Sequence, residues 1–153
     1  MGNSPQIERK IWGMVRHVFG SPTAAVSILE TDLTRTGKRP FCSRHSHAQR
    51  VNRFIVQSGA IDVVEYDANG ATEMARVRMN PGDMHDVEAG VVHRFEVVEP
   101  GIVVEVYFPA RAGSEVRADD IMRIDRGGYF QDEAPAMGDG NSGTTDWFNE
   151  VRV

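Results

Sequence analysis

An all-β fold, a barrel or double-sheet sandwich closed around one core, is predicted by three features of the chain. Short runs rich in Val, Ile, Phe and Tyr recur between turns carrying Gly, Pro, Asn and Asp, the rhythm of strands in such folds. No helical periodicity is sustained before residue 114. With 153 residues, the chain can bury one sizeable core and has no room for a second full domain. The barrel is expected over residues 1–110, with an irregular C-terminal tail over 111–153 that packs on it or stays partly mobile.

Taken in order, the first strand is expected over residues 12–19, ended by Gly20-Ser21-Pro22. A second follows over 24–29, ahead of a polar turn through Thr34-Arg35-Thr36-Gly37. Residues 51–57 form the next strand, closed by Ser58-Gly59. Residues 61–66 and 73–79 pair as a hairpin around Asp67-Ala68-Asn69-Gly70, where Asn-Gly supplies the turn chemistry. Strands over 84–87, 93–98 and 102–108 complete the set, the last two split by Glu99-Pro100-Gly101. In the tail, residues 133–144 are rich in Gly, Asp and Ser and are expected to be a mobile loop, with Trp147 and Phe148 as an anchor.

The net charge of −5 and the lack of a basic cluster argue against a nucleic-acid partner. There is no charged-then-apolar leader and no apolar run long enough to span a bilayer. Met1-Gly2-Asn3-Ser4-Pro5-Gln6 lacks the Ser or Thr that myristoylation requires. The single cysteine, Cys42, excludes an internal disulfide. A cytoplasmic protein with a small-molecule substrate, and without membrane partners, is expected.

The chemistry is carried by His45-Ser46-His47 and, some forty-five residues later, His93. Residues two apart on a strand point the same way, so His45 and His47 can reach one ion together. A third imidazole from a distant strand makes a three-nitrogen site with open positions, as metal catalysis requires. Parity places Phe41, Ser43, His45, His47 and Gln49 on one face, Asn52 with Phe54 and Val56, and His93 with Phe95 and Val97. Two of the three sets thus put the site residue among large apolar ones, as an inward-facing site demands. Arg44, Arg53 and Arg94 fall on the opposite faces and are expected in solvent. Cys42, opposite in parity to His45, is expected to be a packing residue rather than a ligand.

The segment Gly37…Pro40-Phe41-Cys42-Ser43-Arg44-His45-Ser46-His47…Asn52…Gly59, followed by Pro81-Gly82-Asp83…Glu88-Ala89-Gly90-Val91-Val92-His93, resembles the two-motif signature of the cupins. These are jelly-roll double-sheet β-barrels with a metal held inside one end. The resemblance implies one divalent ion, Fe, Mn, Zn or Ni, on His45, His47 and His93. Asn52 stands where the family carries a carboxylate ligand, and is a candidate fourth ligand or substrate contact. Glu88 replaces the usual proline of the second motif. Neutral ligands leave the ion's charge uncompensated, so an anionic further ligand is expected.

The chain ends narrow this further. Arg9-Lys10-Ile11-Trp12-Gly13 and Val104-Glu105-Val106-Tyr107…Asp119-Asp120-Ile121-Met122-Arg123-Ile124-Asp125 resemble the ends of the cupin domain of type II mannose-6-phosphate isomerases. That implies a sugar or sugar-phosphate isomerase or epimerase, whose substrate is anionic or sugar-like. Candidate acid–base residues are His85, which shares parity with Val87, and Glu105. For Glu105 two expectations conflict. The resemblance makes it notable, whereas the wholly apolar alternate positions Ile102, Val104, Val106 and Phe108 push it outward. Gln49, Asn52 and Tyr107 are candidate substrate contacts, and His17 is read as structural. A three-histidine non-haem iron dioxygenase and a non-catalytic metabolite-binding module remain alternatives. A homodimer is expected by analogy with cupin barrels, with the strand carrying Trp12 at its edge.

Overall fold

The computed structural model describes residues 4 and 6–131, and these are all strand, turn and loop. The expectations for residues 133–144, Trp147 and Phe148 fall outside the described residues. No helix among the described residues is long and apolar enough to cross a membrane.

Two antiparallel sheets face each other. The first contains β1 (Gln6–Lys10), β2 (Gly13–Ser21), β3 (Ala24–Thr31), β11 (Gly101–Pro109), β6 (Arg50–Val56) and β9 (Met84–Val87), hydrogen-bonded in that order. The second is centred on β10 (Val92–Glu99). One edge of β10 pairs with β7 (Ala60–Tyr66), which pairs in turn with β8 (Glu73–Met79). Its other edge takes two short strands, β4 (Pro40–Phe41) and β5 (His45–Ser46). The chain beyond residue 110 adds β12 (Met122–Arg123) against β5 and β13 (Gly128–Tyr129) against β4, so this part of the tail joins the second sheet.

The hairpin of β7 and β8 closes as expected, with Gly70 at φ 71° and its N–H donating to Asp67 O at 2.8 Å. The chain start differs. The first hairpin is β1–β2, and β1 carries alternating polar side chains with Ile7 alone among them, so hydrophobic periodicity gives no sign of it. Gly13 opens β2 at φ 137°, where a Cβ would lie 1.9 Å from Glu30 O, and only glycine fits that approach. Trp12 precedes the strand and is 5 % exposed, edge-on to Phe95 at 4.9 Å between ring centroids. Trp12 therefore packs into the core, and the sheet edge belongs to β1.

The core lies between the sheets. Leu29, Phe54, Val56, Val87 and Val103 from the first sheet meet Ile61, Val63, Phe95 and Val97 from the second, all nearly free of solvent. Fully burying a side chain such as Phe54 contributes about 1.5–3 kcal/mol. The expected inward faces of β6 and β10 hold. Two expectations do not. Arg94 is buried rather than solvated, because Phe41, Tyr66 and Phe130 cover the outer face of the second sheet there and Glu96 accepts from its guanidinium at 2.6 Å. Phe41 does not share a face with His45. The chain leaves the sheet over residues 42–44, and the interruption shifts parity by one. Phe41 now opposes Glu96 on the outer face, while Cys42 joins the core cluster.

Candidate metal centre

Each histidine is placed by a different device. His45 sits in β5 directly opposite His93 of β10, so both project from one face of the second sheet. His47 follows β5, and the N–H of Gly90 donates to its carbonyl at 2.7 Å, tying the turn before His93 to the histidine pair. The three ring centroids lie 4.5–5.5 Å apart. One nitrogen from each ring falls within 4.8 Å of the others.

The hydrogen bonds decide which nitrogen is offered. His45 Nδ1 lies 2.7 Å from Ser43 O, His47 Nδ1 2.7 Å from Asp120 O, and His93 Nδ1 2.9 Å from Val91 O. A carbonyl oxygen only accepts, so each Nδ1 carries the hydrogen and each Nε2 keeps a bare lone pair. A carbonyl behind each ring orients it in this way at metal sites. His47 Nε2 is sealed from solvent and has no hydrogen-bond partner. His93 Nε2 faces Asn52 Oδ1 at 3.1 Å. With Asn52 Nδ2 donating to Glu105 Oε2 at 3.2 Å, that contact sets two acceptors against each other. A cation between them removes the conflict, so the residues present fit a metal ion.

Burial keeps the rings neutral. It is the largest cause in each case, holding His47 at about 3 and His93 at about 4, and pushing His45 well below the ordinary histidine value. The neighbouring imidazoles add to this at His45, and the Arg50 guanidinium at His47. Neutral imidazoles are the ligand form.

Beside the histidines opens a cavity of about 1270 Å³, walled in part by His45, Arg50, Glu105, Tyr107 and Cys42. His47 and His93 are 2 % and 1 % exposed and lie behind His45. Glu105 settles the conflict left by the sequence. On β11 the inward face is Val103, Glu105 and Tyr107, and Tyr107 stands opposite Asn52. The apolar alternates form the outer face, where Ile102 is 40 % exposed. Periodicity misled here because the cavity puts the polar residues Glu105 and Tyr107 on the inner side of the strand. Burial raises the pKa of Glu105, opposed by hydrogen bonding from Asn52 and Tyr107, and raises that of Tyr107 far above the usual phenol value.

The other candidates are placed differently. Asn52 is fully buried and touches both His93 and Glu105. His85 points inward opposite Phe54, and its Nε2 lies 3.8 Å from Glu65 Oε1, but it forms no part of the cavity wall. Gln49 is exposed in the bend after His47, where strand parity no longer applies. His17 sits between Ser27 and Glu8 at the cavity wall. Two residues at the centre went unassigned in the sequence. Asp120 accepts from His47 through its carbonyl and from the N–H groups of Ala48 and Gln49 through its carboxylate. Arg50, 6 % exposed, lies over the Tyr107 ring at 3.9 Å. Strand parity carried two residues back from Asn52 reaches Arg50, whereas Asp120 stood only within the run over residues 119–125 of the closing resemblance, with no local sign that it would meet His47.

No family model matches the chain, and no curated protein is similar to it in sequence. Solved structures are similar in fold. Oxalate decarboxylase from Bacillus subtilis superposes with a TM-score of 0.61 at 14 % identity, covering 78 % of this chain and 30 % of that one. An RmlC-like cupin from Shewanella frigidimarina gives 0.54 at 18 % identity, covering 73 % of this chain and 90 % of the other. KdgF from Halomonas sp. gives 0.50 at 20 % identity, covering 65 % and 80 %. The chain spans about 30 % of the length of the oxalate decarboxylase. These likenesses concern the fold and do not extend to the isomerase resemblance of the chain ends. Two facing antiparallel sheets, with the paired and the distant histidine converging between them, give this chain the fold of the cupin structures it resembles, with a three-histidine cluster that could hold a metal ion.

Proposed function

We propose that the chain is a metal-dependent isomerase or epimerase that moves a proton within a small sugar-like or anionic carbonyl substrate. The placement of Glu105 carries this reading: a carboxyl group in the cavity wall, its pKa raised by burial, joined through Asn52 to His93. A carboxyl group whose pKa is raised by burial holds its proton more firmly and is the better suited to both accept and return one. A divalent ion on the histidines supplies Lewis acidity toward a substrate oxygen. Glu105 takes the proton from the carbon beside the substrate carbonyl and returns it to the neighbouring position. Asn52, donating to Glu105 Oε2, holds the carboxyl group in orientation, and Tyr107 closes the same side of the cavity.

The test is deuterium exchange. Protein loaded with Mn, Zn or Ni is incubated in D₂O with aldoses, ketoses and their phosphates, and NMR follows the carbon next to the carbonyl. Exchange is expected, and Glu105→Gln should slow it about 10²–10⁴-fold, the usual size of a general-base contribution. Absence of exchange with every metal, or an unchanged rate in Glu105→Gln, would overturn the proposal.

One observation favours a second reading. Asn52 in place of a carboxylate leaves only neutral donors, which suits a three-histidine iron dioxygenase. Oxygen uptake by iron-loaded protein with small thiols or phenols would support it. Ligand binding with neither exchange nor oxygen uptake would support a non-catalytic module.

A further inference from the structure

Arg50 is a buried cation whose charge is felt by Glu105 in the same cavity wall. Among the described residues no carboxylate pairs with it, although burying an unpaired charge is costly. Its donors are unevenly used. Nη1 donates to Arg117 O at 2.7 Å. Nη2 lies 3.1 Å from His47 Nδ1, but that nitrogen's hydrogen is already given to Asp120 O, so the contact pairs donor with donor. Nε is shielded from solvent and has no acceptor, and a buried donor on a charged group left without a partner is destabilising. Nε and Nη2 lie along one edge of the guanidinium and direct two parallel N–H bonds the same way. That edge matches the two oxygens of a planar carboxylate.

A second cation stands close by. Arg123 of β12 is directly opposite His45 in register, so its side chain shares the face of that histidine, and it contributes to the cavity wall. It is exposed, and its charge reaches the His45 ring. The chain as a whole carries −5, yet six arginine and lysine side chains line this cavity against three glutamates. Cationic charge concentrated in one cleft of an acidic protein favours an anionic ligand there.

We propose that Arg50 and Arg123 form a carboxylate-binding subsite beside the histidine cluster, with Arg50 as the forked anchor and Arg123 as the outer cation. This deepens the proposed function and rests on it for the neighbouring metal, naming the substrate as a small carboxylic acid whose reacting oxygen lies toward the histidines. Tyr107, stacked on Arg50, holds the guanidinium plane while Asn52 holds Glu105.

The test uses three probes on one skeleton: D-glycerate, glycerol 3-phosphate and glycerol. Their binding is measured by calorimetry on zinc-loaded and chelator-stripped protein, with metal content determined for every variant. Glycerate is expected to bind best and glycerol not at all. Arg50→Lys, which keeps the charge but loses the fork, should weaken glycerate at least tenfold while retaining zinc. Arg123→Gln is at an exposed position that the fold does not need, and should weaken glycerate about three- to tenfold with a shallower salt dependence. It decides the matter even where Arg50→Lys fails to fold. Preference for the phosphate, or glycerate affinity unchanged in Arg123→Gln or in a folded Arg50→Lys, would overturn the subsite. Arg50-dependent glycerate binding by a chain that takes up no metal would leave the subsite standing and sink the metal-dependent function.

Discussion

Removing the Asp120 carboxylate should loosen His47 without touching any ligand atom. The carboxylate accepts N–H bonds from Ala48 at 2.8 Å and Gln49 at 2.9 Å, and the same residue's carbonyl accepts from His47 Nδ1 at 2.7 Å. Asp120→Ala frees the bend that aims His47 while leaving the imidazole present. Both donors belong to exposed residues, so water replaces the lost acceptor. Each bond then contributes only about 0.5–1 kcal/mol, and the metal-free protein should lose about 1–2 kcal/mol. Groups that orient a ligating histidine are worth about 10–100-fold in metal affinity, or roughly 1.4–2.8 kcal/mol. The two effects are read separately, by urea denaturation of chelator-stripped protein and by zinc titration against a chromophoric competitor. Asp120→Asn retains one acceptor and should fall between. A variant destabilised as expected but binding zinc within twofold of the parent would refute the reasoning, because packing alone would then be orienting His47.

Three further outcomes are expected. His93→Ala should lower zinc affinity at least tenfold more than Asn52→Ala, and equal retention of metal in both would sink the three-imidazole assignment. In chelator-stripped protein, His47 and His93 are held at about 3 and about 4 against an ordinary 6.5. The unfolded chain therefore binds more protons between pH 6.5 and 4. The stability contributed by the neutral rings is present above pH 6.5 and lost as pH falls toward 4, by up to about 1.4 kcal/mol per pH unit for each ring. Denaturation midpoints of the parent and His47→Gln should converge across that window, and parallel profiles would contradict the assignment. Burial pushes the Cys42 thiol up to about 12, so the native protein should resist thiol reagents at pH 8 until unfolded. Cys42→Ser should leave metal content unchanged, as measured by elemental analysis.

By itself the sequence determined the strand-rich architecture, the β7–β8 hairpin and the convergence of His45, His47 and His93. The approach of His93 was implied by the two-motif resemblance, whereas the hairpin and the shared face of His45 and His47 rest on local rules, turn chemistry at Asn69-Gly70 and side-chain alternation along a strand. The inward faces of Asn52, Phe54 and Val56 were legible for the same reason. Only the tertiary structure decided which face of β11 is inner. Alternation reports two faces without saying which meets the other sheet, and here Glu105 and Tyr107 face the cavity while Ile102 is exposed. The parity break over residues 42–44 has no compositional mark, because an interruption that moves Phe41 outward and Cys42 inward is imposed by pairing with β10. Arg94 is buried because residue 130 returns across the sheet. The support of His47 by Asp120 spans 73 residues. Such contacts are invisible to local periodicity, since they depend on where the folded chain brings distant backbone rather than on any pattern of neighbouring side chains.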